Sequence, residues 1–160
     1  MQINQNFKEK IKLPAFLNVL TILTFIWSVY ELYDNIKTFL SGSKMVDEMR
    51  NASGASNISD FQRKLVSSEI VDLFQKMYEN RLIILVLGII GDGLCMYGAY
   101  QMRRVKADGF FFWCAGEILP FITMIVFVGV GFFTTIYAIG FVFPVLFIIL
   151  YLTQKKYLRK

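Results

Sequence analysis

LIILVLGIIGDGLCMYGAYQMRRVKADGFFFWCAGEILPFITMIVFVGV, residues 82–130, reads as two apolar helices joined by a short basic turn, Arg103-Arg104-Val105-Lys106. Each apolar run approaches the ~20 helical residues that cross a hydrocarbon core of about 30 Å. The connection is short, so the two must pair as an antiparallel hairpin. Each run holds one acid: Asp92 between Gly91 and Gly93, and Glu117 in Gly116-Glu117-Ile118-Leu119-Pro120. A carboxylate near the bilayer centre costs about 2.5–3.5 kcal/mol on insertion scales, so each acid is expected to face inward and find a partner.

Working outward, the rest of the chain has the same character. Of 160 residues 56% are hydrophobic and only 18% charged, and the apolar residues fall in long blocks. Four blocks have spanning length: residues 15–33, 82–101, 110–130 and 132–153. Continuous blocks without period-two alternation exclude a transmembrane β-barrel. The expected fold is an all-α membrane protein. It is a single integral domain over residues 1–160, a four-transmembrane-helix bundle. A long extracytoplasmic connection, residues 34–81, contains an amphipathic helix.

Block one carries a polar stripe. Asn18, Thr21, Thr24 and Ser28 recur every three or four residues and share one helix face, which Glu31 extends. Such hydroxyls either bond back to their own helix or face the bundle and serve the acids of other helices. Pro14 suits the first turn of a helix. The connection has mixed charge, a small polar tip at residues 51–57 and a capping box, Ser59 with Gln62. Beyond it Phe61, Leu65, Ile70, Leu73, Phe74, Met77 and Tyr78 follow helical spacing. That apolar face can lie on the membrane, dock a partner or pack on its own domain. Asn51 and Asn57 begin glycosylation sequons, which matter only in a eukaryotic secretory lumen.

Gly88, Asp92, Cys95 and Ala99 share a face, with Gly91 and Gly98 alongside, and small residues so spaced let helix backbones approach. Pro120 and Pro144 each free the carbonyl four residues back, of Gly116 and Gly140, and are expected to kink their helices. Three short flanks are basic: Lys8, Lys10 and Lys12 near the start, Arg103, Arg104 and Lys106 in the turn, and Lys155, Lys156, Arg159 and Lys160 in the tail. By the positive-inside rule all three lie in the cytoplasm, with both termini. Asp92 and Glu117 then fall at similar depth, in the cytoplasmic half of the membrane.

The candidate site is an intramembrane polar cluster of Asp92, Glu117, Asn18, Thr21, Thr24 and the freed carbonyl of Gly116. No histidine is present, and Cys95 and Cys114 fall in apolar blocks, so neither a metal centre nor a disulfide framework is expected. With no activated nucleophile or phosphate loop, an enzyme is not expected, nor is a cofactor. The net charge of +5 sits beside the spans, so it is read as topogenic and not as a nucleic-acid footprint. Two functions fit. One is a non-enzymatic structural, accessory or assembly subunit. The other is a small proton- or cation-linked transporter or channel using Asp92 and Glu117. The lipid bilayer is the expected partner, with a second membrane protein or further copies of the chain. The run Gly98 to Phe110, continuing to Gly116-Glu117-Ile118-Leu119-Pro120, resembles a hairpin in a small uncharacterised four-span inner-membrane family of Bacteroidota. The shared pattern is Gly-Ala-x-x-Met, a basic turn, Gly-Phe and Gly-[Glu/Gln]-Ile; Arg103 stands where that pattern has an aromatic residue. The resemblance covers about 25 residues and implies a bacterial inner-membrane location.

Overall fold

The computed structural model describes residues 13–53, 67–134 and 142–158. Among them every regular element is helical: α1 Ala15–Ser53, α2 Ser68–Glu79, α3 Arg81–Arg103, α4 Asp108–Phe127, a single turn Gly131–Thr134, and α5 Val142–Gln154, which tightens into a 3-10 turn at Lys155–Tyr157. Three helices (α1, α3 and α4) are long and apolar enough to cross a membrane. The amino-terminal lysines, the capping box at Ser59, the sequon at Asn57, Gly140 and the last two residues of the tail lie outside the described residues.

The first expected span is corrected. α1 does not stop at residue 33 but continues as one helix of 39 residues, about 58 Å at a rise of 1.5 Å per residue. Asp34 and its polar neighbours change the surroundings of the chain, not its conformation. Lys37, Leu40, Lys44, Met45, Glu48 and Met49 are good helix formers. Much of the 34–81 connection is therefore helix. Ser41-Gly42-Ser43 passes through unbroken: Ser41 Oγ donates to the Lys37 carbonyl at 2.7 Å, and Gly42 packs under Tyr78, whose ring a Cβ would meet at 3.2 Å.

The amphipathic segment forms α2, and its apolar face packs on α1. Ile70 and Phe74 bury against Val46, with Met49, Met77 and Tyr78 around them. At Asn80 the chain bends and starts α3 at once. The Asn80 side chain donates to the carbonyls of Lys76, at 2.9 Å, and Phe127, at 3.3 Å, tying the bend to the end of α4. Arg81 stacks its guanidinium over Tyr78, 4.1 Å from the ring centroid, and reaches Phe39 of α1 at 5.8 Å.

The α3–α4 hairpin is the tightest contact in the molecule. A Cβ on Gly98 would stand 2.5 Å from the Trp113 backbone nitrogen and 2.6 Å from the Gly109 oxygen, and one on Gly109 would stand 2.6 Å from the Gly98 oxygen. One turn-pair further, a Cβ on Gly116 would stand 2.6 Å from the Gly91 oxygen. The carbonyl that Pro120 leaves free, that of Gly116, lies against Gly91 in return. Backbone thus meets backbone, as close packing through small residues requires. α4 continues as helix through Pro120.

The basic turn closes in a six-residue helix stop. Lys106 N–H donates to Gln101 O at 3.1 Å and Val105 N–H to Met102 O at 2.9 Å, with Val105 at φ 61°. This is a Schellman arrangement with valine where glycine is usual. Val105 is only 7% exposed.

α1 and α3 run antiparallel: Arg103 reaches Thr21, Asn35 faces Gly88 and Asp92, and Phe39 lies beside Arg81. α5 joins at the basic end. Tyr151 is fully buried with Trp113, ring centroids 4.6 Å apart, among Leu17, Leu20, Met102 and Phe110. Lys155 Nζ lies over the Phe110 and Phe111 rings. α5 covers the second half of the fourth expected span; residues 135–141 lie outside the described ones, and Pro144 is the third residue of α5.

Candidate functional site

α1 is built inside out. Its inward face holds Thr21, Thr24 and Ser28, each at most 4% exposed, while Ile26, Val29, Tyr30 and Tyr33 point outward. Both readings of the stripe hold, at different places. Thr21 Oγ1 donates back to the Asn18 carbonyl at 2.9 Å, whereas Thr24 shares a buried 2.7 Å hydrogen bond with the Tyr151 hydroxyl.

One and two turns beyond Ser28, the same face presents Glu31 and Asn35. Glu31 Oε1 accepts from Trp27 Nε1 at 2.7 Å, and Asp92 Oδ2 accepts from Asn35 Nδ2 at 3.4 Å. Glu31, Asp92 and Glu117 line one and the same cavity. Asp92 is eleven residues from either end of α3, and Glu117 occupies the middle of α4. Asp92 and Glu117 thus stand at the midpoints of adjacent antiparallel helices.

The three acids face a cavity of about 480 Å³ between α1, α3, α4 and α5. Its remaining walls are largely apolar, among them Trp27, Phe121, Met124, Phe133 and Phe147, with Thr24 and Cys95 toward the basic end. No lysine or arginine is among its described lining residues. A second cavity, of about 270 Å³, shares Glu31, Asp92 and Pro120 with the first and extends to Asp34 and Asn35. A third, of about 280 Å³, shares Asp34 and Asn35 with the second and ends at Tyr78 and Arg81. The cavities adjoin one another through shared lining residues, from mid-bundle toward the end opposite the basic turn, and Trp27, Glu31, Asp92, Pro120 and Met124 line both of the first two.

Of the expected cluster, Asp92, Glu117, Thr24 and Gly116 line one cavity, and Pro120 and Pro144 line it too. Asn18 and Thr21 do not join them. They sit at the basic end, where Arg103 Nη1 donates to Thr21 Oγ1 at 3.5 Å and the Asn18 side-chain oxygen is buried without a hydrogen bond. Glu31, Asn35, Trp27 and Tyr151 belong to the arrangement although the expected cluster left them out. Cys95 and Cys114 are free thiols, Cys95 buried with its Sγ 3.6 Å from the Trp113 carbonyl.

Chemically the site offers negative charge in apolar surroundings. Like charges on one cavity repel more where water is scarce, and a proton or a cation entering the cavity relieves the repulsion. Among the described residues no three acids or cysteines stand close enough to share a metal ion. Comparison of the chain with protein-family models, with curated proteins and with solved structures finds no match.

Proposed function

We propose that this chain is a proton- or cation-linked transporter or channel of a bacterial inner membrane, with four spans and its basic end and both termini in the cytoplasm. The observation that carries the reading is the convergence of Glu31, Asp92 and Glu117, from three helices, on one cavity at mid-bundle, with Glu31 and Asp92 also lining the next. A carboxyl that merely clamps helices would be matched to a donor with no space beside it. Here the acids line open space, and among the described residues Glu31 and Asp92 accept from the Trp27 and Asn35 side chains. Intramembrane acids facing a cavity mark ion and proton pathways. The series of cavities supplies a route to them, with Asp34 along it.

A fourth span is the reading given to α5: its apolar run starts beside the central cavity at Pro144 and ends in Lys155 and Lys156, with Lys155 over Phe110, at the same end as Arg103 and Lys106. The positive-inside rule puts that end in the cytoplasm, and the hairpin resemblance supplies the bacterial inner membrane. A structural or assembly subunit would need no cavities beside the acids.

Proteoliposomes carrying a pH indicator inside test the reading. An imposed cation gradient should move protons in vesicles holding the wild-type protein. It should not do so in vesicles holding Asp92→Asn or Glu117→Gln protein that still elutes from detergent as a single folded species. Flux in the variants equal to wild type, or wild-type flux equal to that of empty vesicles, would reject it.

A further inference from the structure

The central cavity differs from a site for a bare ion. A small inorganic cation must exchange its water shell for several oxygen ligands at fixed distances, yet no three acids among the described residues are placed to share a metal. The cavity also has far more room than such an ion fills. At about 480 Å³ it falls within the range of small-molecule sites, roughly 300–1,000 Å³. Its charged groups are Glu31, Asp92 and Glu117, and its aromatic lining is Phe121, Phe133, Phe147 and Trp27, the last bonded to Glu31. Aromatic faces attract a cation through the ring quadrupole, most strongly where water is excluded. An occupant suited to these walls brings its own apolar coat and needs only countercharge at one point.

We propose that the central cavity binds a lipophilic organic cation, an apolar or aromatic body carrying one permanent or protonated positive centre. The positive centre sits against Glu31, Asp92 and Glu117, and the body lies on Trp27, Phe121 and Phe147. This assignment rests on the transport reading above and names the class of its substrate. The apolar walls exclude inorganic anions and strongly hydrated ions. The carboxyls exclude neutral and anionic molecules of the same shape.

Tetraphenylphosphonium and tetraphenylborate test it, being nearly equal in shape and opposite in charge. The full-length protein is placed in nanodiscs of phosphatidylcholine and titrated with each by calorimetry, with empty nanodiscs subtracted to remove partition into lipid. Tetraphenylphosphonium should bind saturably at one site per chain and tetraphenylborate should not. Glu117→Gln and Asp92→Asn should each weaken the phosphonium at least tenfold. Phe147→Ala, which leaves every carboxyl in place, should weaken it severalfold, so a variant that fails to assemble does not decide the matter. Equal binding of both ions, or phosphonium affinity unchanged in Glu117→Gln and Phe147→Ala alike, overturns the assignment. The proteoliposome assay separates this result from the broader reading. Proton flux driven by sodium or potassium gradients, with no phosphonium binding, leaves proton-linked transport standing and removes the organic cation. Absence of both removes both.

Discussion

Gly98→Ala tests the seam on which the hairpin is built. The added methyl would stand 2.5 Å from the Trp113 nitrogen, 2.7 Å from its Cβ and 2.6 Å from the Gly109 oxygen, two of the three being backbone atoms that cannot rotate away. Ordinary contact begins at 3.4 Å, so α4 must retreat by about 1 Å. That retreat also loosens Gly91 against Gly116, because the four glycines lie along one line of contact. Overpacking of this kind costs about 1–3 kcal/mol; at 2 kcal/mol the unfolding equilibrium shifts by about thirtyfold. Gly93→Ala is the control, since nothing lies within 4 Å of its Cβ position. It should leave stability unchanged or raise it by up to about 1 kcal/mol, the usual gain of alanine over glycine in a helix. Both variants can be compared with wild type by thermal unfolding in one detergent and by steric trapping in bicelles. A Gly98→Ala protein as stable as wild type, or a Gly93→Ala protein equally damaged, would refute backbone contact as the source of the hairpin's geometry.

Two other substitutions separate local effects. Thr24→Val leaves the Tyr151 hydroxyl buried without its partner and should cost about 1 kcal/mol in the same unfolding assay. Adding Tyr151→Phe should recover most of that loss, so a double variant worse than both singles would contradict the bond. At Val105, glycine relieves about 1–2 kcal/mol of left-handed strain but forfeits a buried side chain worth about 1.5–3 kcal/mol. Val105→Gly should therefore stay within about 1 kcal/mol of wild type, whereas Val105→Ala, which loses packing without relieving strain, should be the less stable of the two in denaturant titration. The reverse order would show that the turn carries no strain.

The helices α3 and α4 could be read directly, because in lipid an apolar run and a spanning helix coincide. Their bounds in the structure differ from the expected ones by at most three residues. α1 could not be read the same way. Its hydropathy drops at Asp34 while the helix runs on to Ser53, so the end of the apolar block is not the end of the element. Polarity reports what surrounds a helix, and only turn chemistry or helix breakers report where it stops. The same holds for the site: a span bounded at residue 33 has Glu31 at its edge and Asn35 outside it, whereas the two helices align Asn35 with Asp92. A signal was nonetheless present. Thr21, Thr24, Ser28, Glu31, Asn35, Thr38, Gly42, Val46 and Met49 continue one 3-4 spacing along a single face. A search for apolar seams passes over it because most of its members are polar. Asn18 and Thr21 fit the same face but stand too near the basic end to reach the acids. That separation is a matter of depth, and helix periodicity does not encode it.

The length of α1 has a consequence for the site. Beyond Gly42, where it meets Tyr78, α1 continues for three turns paired with α2, and the third cavity opens between them at Phe74, Met77 and Tyr78. The α1–α2 hairpin thus stands at the far end of the cavity series, with Asp34 and Arg81 lining the last member. A rigid α1 links that hairpin mechanically to Glu31, two to three turns away along the same helix.

The convergence of three helices on one cavity can be tested by cross-linking in the native membrane. In a chain carrying Cys95→Ala and Cys114→Ala, paired cysteines are introduced at Glu31 and Asp92, and separately at Glu31 and Glu117. Each pair is treated with a short bismaleimide and read by mass spectrometry of the linked peptides. Links within one chain in both pairs are the expected result. If Glu31→Cys links to neither α3 nor α4 while a control pair at Asn35 and Gly88 does link, the carboxyls do not share a cavity and the proposed site is wrong.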